Sequence, residues 1–245
     1  MGKLDGKTAL IAYAGGGIGK AIAEAFVAEG AKVIVQDDDA AKLAGVPGEQ
    51  IIGDLRKKED ADKFIASAGG KVDILVNNED HVVGGKLAKL TTEQFIETCD
   101  YNLRTIWHTL AAIYPGMKAA GGNISIINIG SIAGAAGIPK FAAYSSVKAG
   151  LFGLTKTVAK EWARFKLARC NTILVGQVKF PEGYAAQGIG KKTAKALSMN
   201  NPFAGVVAKP NDIANIAVFL ASADSIAINA EMINAGGGVY TISGE

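Results

Sequence analysis

Thr8-Ala9-Leu10-Ile11-Ala12-Tyr13, followed at once by Ala14-Gly15-Gly16-Gly17-Ile18-Gly19, is the stretch whose reading decides the fold. The first half is a short apolar run and the second a glycine turn, after which Ala21, Ile22, Ala25 and Phe26 recur at helical spacing. Strand, tight turn, helix is the reading. Such a turn points backbone N–H groups and the positive end of a helix at one place, the arrangement that receives a pyrophosphate. The spacing is Gly15-x-Gly17-x-Gly19 rather than the strict Gly-x-Gly-x-x-Gly fingerprint, and a glycine cluster by itself is also an ordinary turn.

Working outward, Ala31 to Gln36 forms a second strand candidate, with Asp37, Asp38 and Asp39 directly after it. Further buried-strand candidates are Gln50 to Gly53, Val72 to Asn77, the run to Ile129 and Cys170 to Val175. Between them lie helical patterns from Ala61 to Ala68, from Thr92 to Met117 broken into two, from Tyr144 to Phe165, and from Ile213 to Ser222 behind an Asn211/Asp212 cap. Strands that alternate with helices imply an α/β fold: a single-domain, Rossmann-like, doubly wound parallel sheet with helices on both faces. No repeat or linker divides residues 1–245. The polar, glycine-bearing segment 180–201 reads as a substrate lid.

Composition narrows the function class. With 49% hydrophobic and 20% charged residues, the chain is long enough for a sizeable core. A net charge of +3, without a Lys/Arg cluster interleaved with aromatics, argues against nucleic acid. Cys99 and Cys170 are isolated, so neither a disulfide framework nor a metal site is expected. No apolar run reaches the ~18 residues of a membrane span. The expectation is a soluble, cytoplasmic protein.

The chemistry-bearing pair is Tyr144 and Lys148, four residues apart in a helical run and therefore on one face. A free phenol has a pKa of about 10, and bringing it near 7 takes roughly 4 kcal/mol of preferential stabilisation of the phenolate, which an adjacent ammonium partly supplies. Ser131, thirteen positions upstream at the tip of an apolar strand, can hold a substrate oxygen before that phenol. Alone, such a pair also fits a half-buried aromatic and a solvated amine. The second copy, Tyr114 with Lys118, is read as a helix end because of Pro115 and Gly116. At the nucleotide end, Asp37 lies eighteen residues after Gly19, where its carboxylate accepts from ribose hydroxyls and repels a 2′-phosphate. No arginine stands near position 37, so NAD is favoured over NADP.

Together these residues resemble the short-chain dehydrogenase/reductase superfamily from Leu4 to about Tyr240: Gly17-Ile18-Gly19, Asp54-Leu55, Asn77-Asn78, Asn102, Ser131, Tyr144 with Lys148, and Asn171 to Val178. The start and length are similar to the branch acting on 3-hydroxybutyrate-like substrates. The resemblance implies that Tyr144 is the general acid/base, that Lys148 lowers its pKa and holds the nicotinamide ribose, that Ser131 binds the reacting oxygen and that Asn102 anchors a water in a proton relay. It likewise implies cofactor contacts at Gly16, Gly17, Ile18 and Gly19, at Asp37, at Asp54 and Leu55 for the adenine, at Asn77 on the ribose side, and at Gly176 and Val178 near the carboxamide. A homotetramer is implied as well.

Departures from the family pattern crowd the cofactor side. Ala12-Tyr13 replaces Thr-Gly, Asn77-Asn78-Glu79-Asp80 replaces Asn-Asn-Ala-Gly, Val175-Gly176 replaces Pro-Gly, Phe180 stands for a threonine, and Gly236-Gly237-Gly238 for Asp-Gly-Gly. Two carboxylates near an anionic cofactor weaken binding unless they point to solvent. The leading expectation is an NAD-dependent oxidoreductase interconverting a secondary alcohol and a ketone. The rivals are a degenerate member that keeps the fold as a binding or regulatory module, and an NADP-dependent reductase. Pocket candidates are His81, Val82, Ala133, Lys140 and Gln177.

Overall fold

The computed structural model describes residues 1–119, 121–180 and 207–237. Seven parallel strands form one sheet in the order β3-β2-β1-β4-β5-β6-β7. They are β1 Thr8–Ala12, β2 Lys32–Asp37, β3 Glu49–Ile52, β4 Ile74–Asn77, β5 Ile124–Ser131, β6 Ala168–Val175 and β7 Met232–Ala235. Because strand side chains alternate, the apolar runs supply two cores at once. Ile11, Val35, Val76, Ile129 and Ile173 face α1 (Gly17–Ala28) and α7 (Pro210–Ala221). Leu10, Ile34, Leu75 and Ile126 face α2 (Lys58–Ala66), α4 (Thr105–Ala119) and α6 (Ala142–Ala163), with the short α5 (Ala133–Ala136) between β5 and α6. Phe26 in one layer and Phe64 in the other are fully buried, each burial worth about 1.5–3 kcal/mol. This is the doubly wound, Rossmann-like sheet the sequence predicts.

The chain leaves β1 for β2 and β3 on one side, then returns to β4 on the other; β1 pairs in parallel with both β2 and β4. That reversal opens a crevice at the carboxyl ends of β1 and β4, the place where such sheets receive ligands.

Several local expectations change. The pattern between Thr92 and Met117 resolves into α3 (Thr92–Cys99) and α4 joined by a π-helical turn, Asp100–Arg104, rather than by a break. Helix α4 does not end at Pro115-Gly116: both are exposed, as is Ala111, whose carbonyl the proline cannot serve, while Ile113 and Met117 keep the opposite face buried. Helix α7 starts earlier than its Asn211/Asp212 signal, with Pro210 in its first turn and Asp212 reaching back to accept from Lys209 N at 2.7 Å. Strand β7 lies outside the predicted strands, being three half-buried residues interrupted by the exposed Asn234. The expected lid at 180–201 lies outside the described residues except for Phe180. Among the described residues, no helix is long and apolar enough to cross a membrane.

Candidate active site

The glycine turn leaves β1 through a strained residue. Tyr13 has φ +49°, a region that a side chain with a Cβ adopts at a cost, and its buried hydroxyl has no hydrogen-bond partner. Its backbone is pinned from two sides: Tyr13 N donates to Gln36 Oε1 at 3.1 Å, and Asn78 Nδ2 donates to Tyr13 O at 2.9 Å. Gly17 has φ +54° and lies so close to Phe180 that a Cβ there would stand 2.5 Å from the ring. Gly19 is packed equally tightly against Tyr13 O and Asn78. Gly16 opens α1 in extended backbone with open space around it, Ile18 packs on the core, and the first helical turn carries no acidic residue and no side-chain cap.

At the end of β2, the buried Asp37 accepts from Gly15 N at 3.0 Å and sits 3.3 Å from Lys42 Nζ, which also pairs with Asp38 at 2.9 Å. Burial, and then the neighbouring Asp38 carboxylate, push Asp37 above the ordinary range against the pull of Lys42. Beyond β3, Asp54 grips Arg56 through two hydrogen bonds of 2.8 and 2.9 Å, and its carboxyl is held low by that guanidinium. Arg56 lies over the Tyr101 ring at 4.0 Å, and Tyr101 stacks on His81 at 4.3 Å. Leu55 does not share this surface. Its side chain is fully buried in the core and its carbonyl meets His108 Nδ1 at 2.9 Å, so an adenine contact by that side chain is ruled out by packing.

The proton-transfer residues converge beyond β4 and β5. Helix α6 presents Tyr144 and Lys148 on one buried face, and Ser131 ends β5 beside the phenol, accepting from Ala133 N at 3.1 Å. Lys148 is 1% exposed and donates to Glu79 O at 2.6 Å and Ile129 O at 3.2 Å. The Tyr144 hydroxyl donates to Asp80 Oδ1 at 2.6 Å, and the same oxygen lies 3.9 Å from Lys148 Nζ. This changes the expected electrostatics. Burial, Asp80's charge and its hydrogen bond hold the phenol well above its ordinary value, with only Ser131 pulling the other way, so Lys148 does not make Tyr144 acidic in this arrangement. Burial lowers the Lys148 pKa, opposed by Asp80 and Glu79.

Three further site residues are placed differently from expectation. Asn102, in the π-helical turn, spends its side chain as a clamp: Nδ2 donates to His81 O at 2.7 Å and Thr98 O at 3.0 Å, while Oδ1 accepts from His81 N at 3.0 Å. Both amide protons of that side chain are thereby spent, and Oδ1 keeps one lone pair. Asn77 faces the core, donating to Asn128 Oδ1 and accepting from Thr109 Oγ1, each at 2.8 Å, so its side chain holds β4 to β5 rather than a ribose. Val178 is buried in the core, and its segment bridges to Ala208. Gly176 is a close approach, its Cβ position 2.6 Å from Gly236 Cα.

Sequence reasoning missed Lys42 and Arg56, and it flagged Asp80 as a carboxylate near the cofactor without its contact to Tyr144. Lys42 at four residues from Asp38 carried a signal; the other two depend on contacts through space. The donor set fits a nicotinamide dinucleotide, with an uncapped helix start at Gly16, a buried carboxylate at Asp37 and a buried ammonium at Lys148. Phe180 over Gly17 and Asp80 on Tyr144 stand against it. Among the described residues, no group of three or more His, Cys, Asp or Glu is placed to hold a metal ion.

Known proteins share this plan. A family model described as Enoyl-(Acyl carrier protein) reductase matches residues 12–240. The chain is 33% identical to the 3-oxoacyl-[acyl-carrier-protein] reductase FabG of Vibrio harveyi over 98% of this chain and 99% of that protein. It is 34% identical to dehydrogenase/reductase SDR family member 6 of Rattus norvegicus over 97% and 99%. Among solved structures, one assigned as a 2-deoxy-D-gluconate 3-dehydrogenase from Agrobacterium tumefaciens, with bound NADP, superposes with a TM-score of 0.87 at 29% identity, covering 96% of this chain and 97% of that one. With its parallel sheet, its glycine turn and the Ser131, Tyr144 and Lys148 cluster at the strand ends, the chain belongs to the short-chain dehydrogenase/reductase superfamily of oxidoreductases.

Proposed function

We propose that this protein interconverts a secondary alcohol and a ketone with NAD, Tyr144 carrying the hydroxyl proton. The observation that supports it is the meeting of Tyr144, Ser131 and Lys148 in one buried cluster across β4 from the glycine turn. When bound, the dinucleotide supplies or accepts the hydride. Ser131 holds the reacting oxygen, and the Tyr144 hydroxyl beside it gives its proton in ketone reduction and takes one back in alcohol oxidation. The buried Lys148 ammonium stabilises the phenolate left behind. Asn102 is a positioning residue that fixes the His81 backbone.

NAD is favoured because Asp37 places a buried carboxylate where a 2′-phosphate would come. Lys42 supports the NADP reading, as does the NADP held by the Agrobacterium neighbour. Steady-state reduction of a ketone panel decides: kcat/KM with NADH is expected to exceed that with NADPH by about 10-fold or more, equivalent to ~1.4 kcal/mol. The reverse preference supports NADP, and only millimolar dinucleotide binding without turnover supports a non-enzymic binding module.

A homo-oligomer, of the tetrameric kind the family resemblance implies, accounts for Trp107, 62% exposed on α4, and the exposed Phe165 just past α6. Sedimentation velocity at micromolar concentration is expected to show an assembly; a lone monomer contradicts it. Two free thiols, Cys99 and Cys170, agree with a cytoplasmic setting.

A further inference from the structure

We propose that Asp80 is an internal ligand of the catalytic pair, occupying the Tyr144 hydroxyl and facing the Lys148 ammonium until an incoming dinucleotide and substrate turn it out. The inference rests on the reading that Tyr144 and Lys148 serve a bound nicotinamide ribose and a reacting oxygen. A carboxylate at 2.6 Å from the phenol uses the only proton Tyr144 can donate, so no substrate oxygen receives that proton while the contact stands. The contact is charge-assisted and therefore among the stronger hydrogen bonds a side chain makes.

The backbone on either side of Asp80 is fixed. Lys148 Nζ holds Glu79 O at 2.6 Å, and Asn102 grips both backbone groups of His81, at 3.0 and 2.7 Å. These clamps aim Asp80 at Tyr144. They also mean that release needs no loop opening, only rotation of a side chain that is 60% exposed and has solvent to turn into. With two of the three Lys148 protons on carbonyls, the remaining one faces Asp80, and rotation of Asp80 frees the phenol and the ammonium together.

Equilibrium titration with NADH, followed by nucleotide fluorescence, tests this in wild type, Asp80→Gly and Asp80→Asn. Asp80→Gly is expected to bind about 10- to 100-fold more tightly, the factor that loss of one charge-assisted competitor gives. Asp80→Asn keeps the size but not the charge and is expected to fall between, which guards against a folding defect in the glycine variant. Equal or weaker binding by both variants overturns the displacement while leaving the oxidoreductase reading intact if turnover persists; absence of binding in all three proteins overturns both. As a readout independent of turnover, the phenolate absorbance of Tyr144 in the unliganded protein, isolated by difference from Tyr144→Phe, is expected at lower pH in Asp80→Asn than in wild type. An unchanged titration overturns the contact.

Discussion

Tyr144→Phe is expected to lower kcat by roughly 10³-fold, within the 10²–10⁴ that positioned proton transfer contributes. The ring keeps its place on the buried face of α6, and only the hydroxyl that donates to Asp80 at 2.6 Å is lost. Dinucleotide affinity is therefore expected to be unchanged or slightly tighter, because the same substitution deprives Asp80 of its partner. Steady-state kinetics beside a direct binding titration checks both halves. Activity within about 10-fold of wild type removes Tyr144 from the proton path.

Glu79→Ala is expected to stabilise the protein in mild alkali and not in acid. Glu79 is 1% exposed, and burial, only partly offset by its own backbone amide, Lys148 and Thr105, pushes its pKa from 4.5 up to about 7. The folded state thus binds this proton more tightly than the unfolded state does. Its contribution to stability is full below about pH 4.5, falls as the unfolded chain ionises, and is lost once pH passes about 7. The shift corresponds to about 3 kcal/mol. Denaturant unfolding of wild type and Glu79→Ala at about pH 8 and about pH 4.5 is expected to show a gain near that size only at the higher pH, matched by a rise in Tm of about 6–12 °C. A pH-independent difference contradicts it.

The sheet was legible because buried parallel strands are continuous apolar runs, and the two layers follow from alternation within them. Strand β7 escaped because its Met-Ile-Asn-Ala sequence has no such run, and Pro115 misled because a proline on a helix's wet face sacrifices a hydrogen bond that water replaces. The site was legible as positions, less so as directions. Family pattern located Asn77, Leu55 and Val178, yet packing sends all three side chains into the interior. The Tyr144–Asp80 contact spans sixty-four residues, and only the folded crossing of β4 and α6 brings the two together. Spacing of Tyr144 and Lys148 supplied the pair; the third charge that governs them came from a different loop.

The most direct test of the account is a crystal structure with a nicotinamide dinucleotide and a ketone or alcohol bound together. It is expected to show the Tyr144 hydroxyl and Ser131 Oγ on the same substrate oxygen, Asp80 rotated toward solvent and Phe180 lifted from Gly17. A complex in which the substrate oxygen lies away from Tyr144, with the phenol still donating to Asp80, contradicts it.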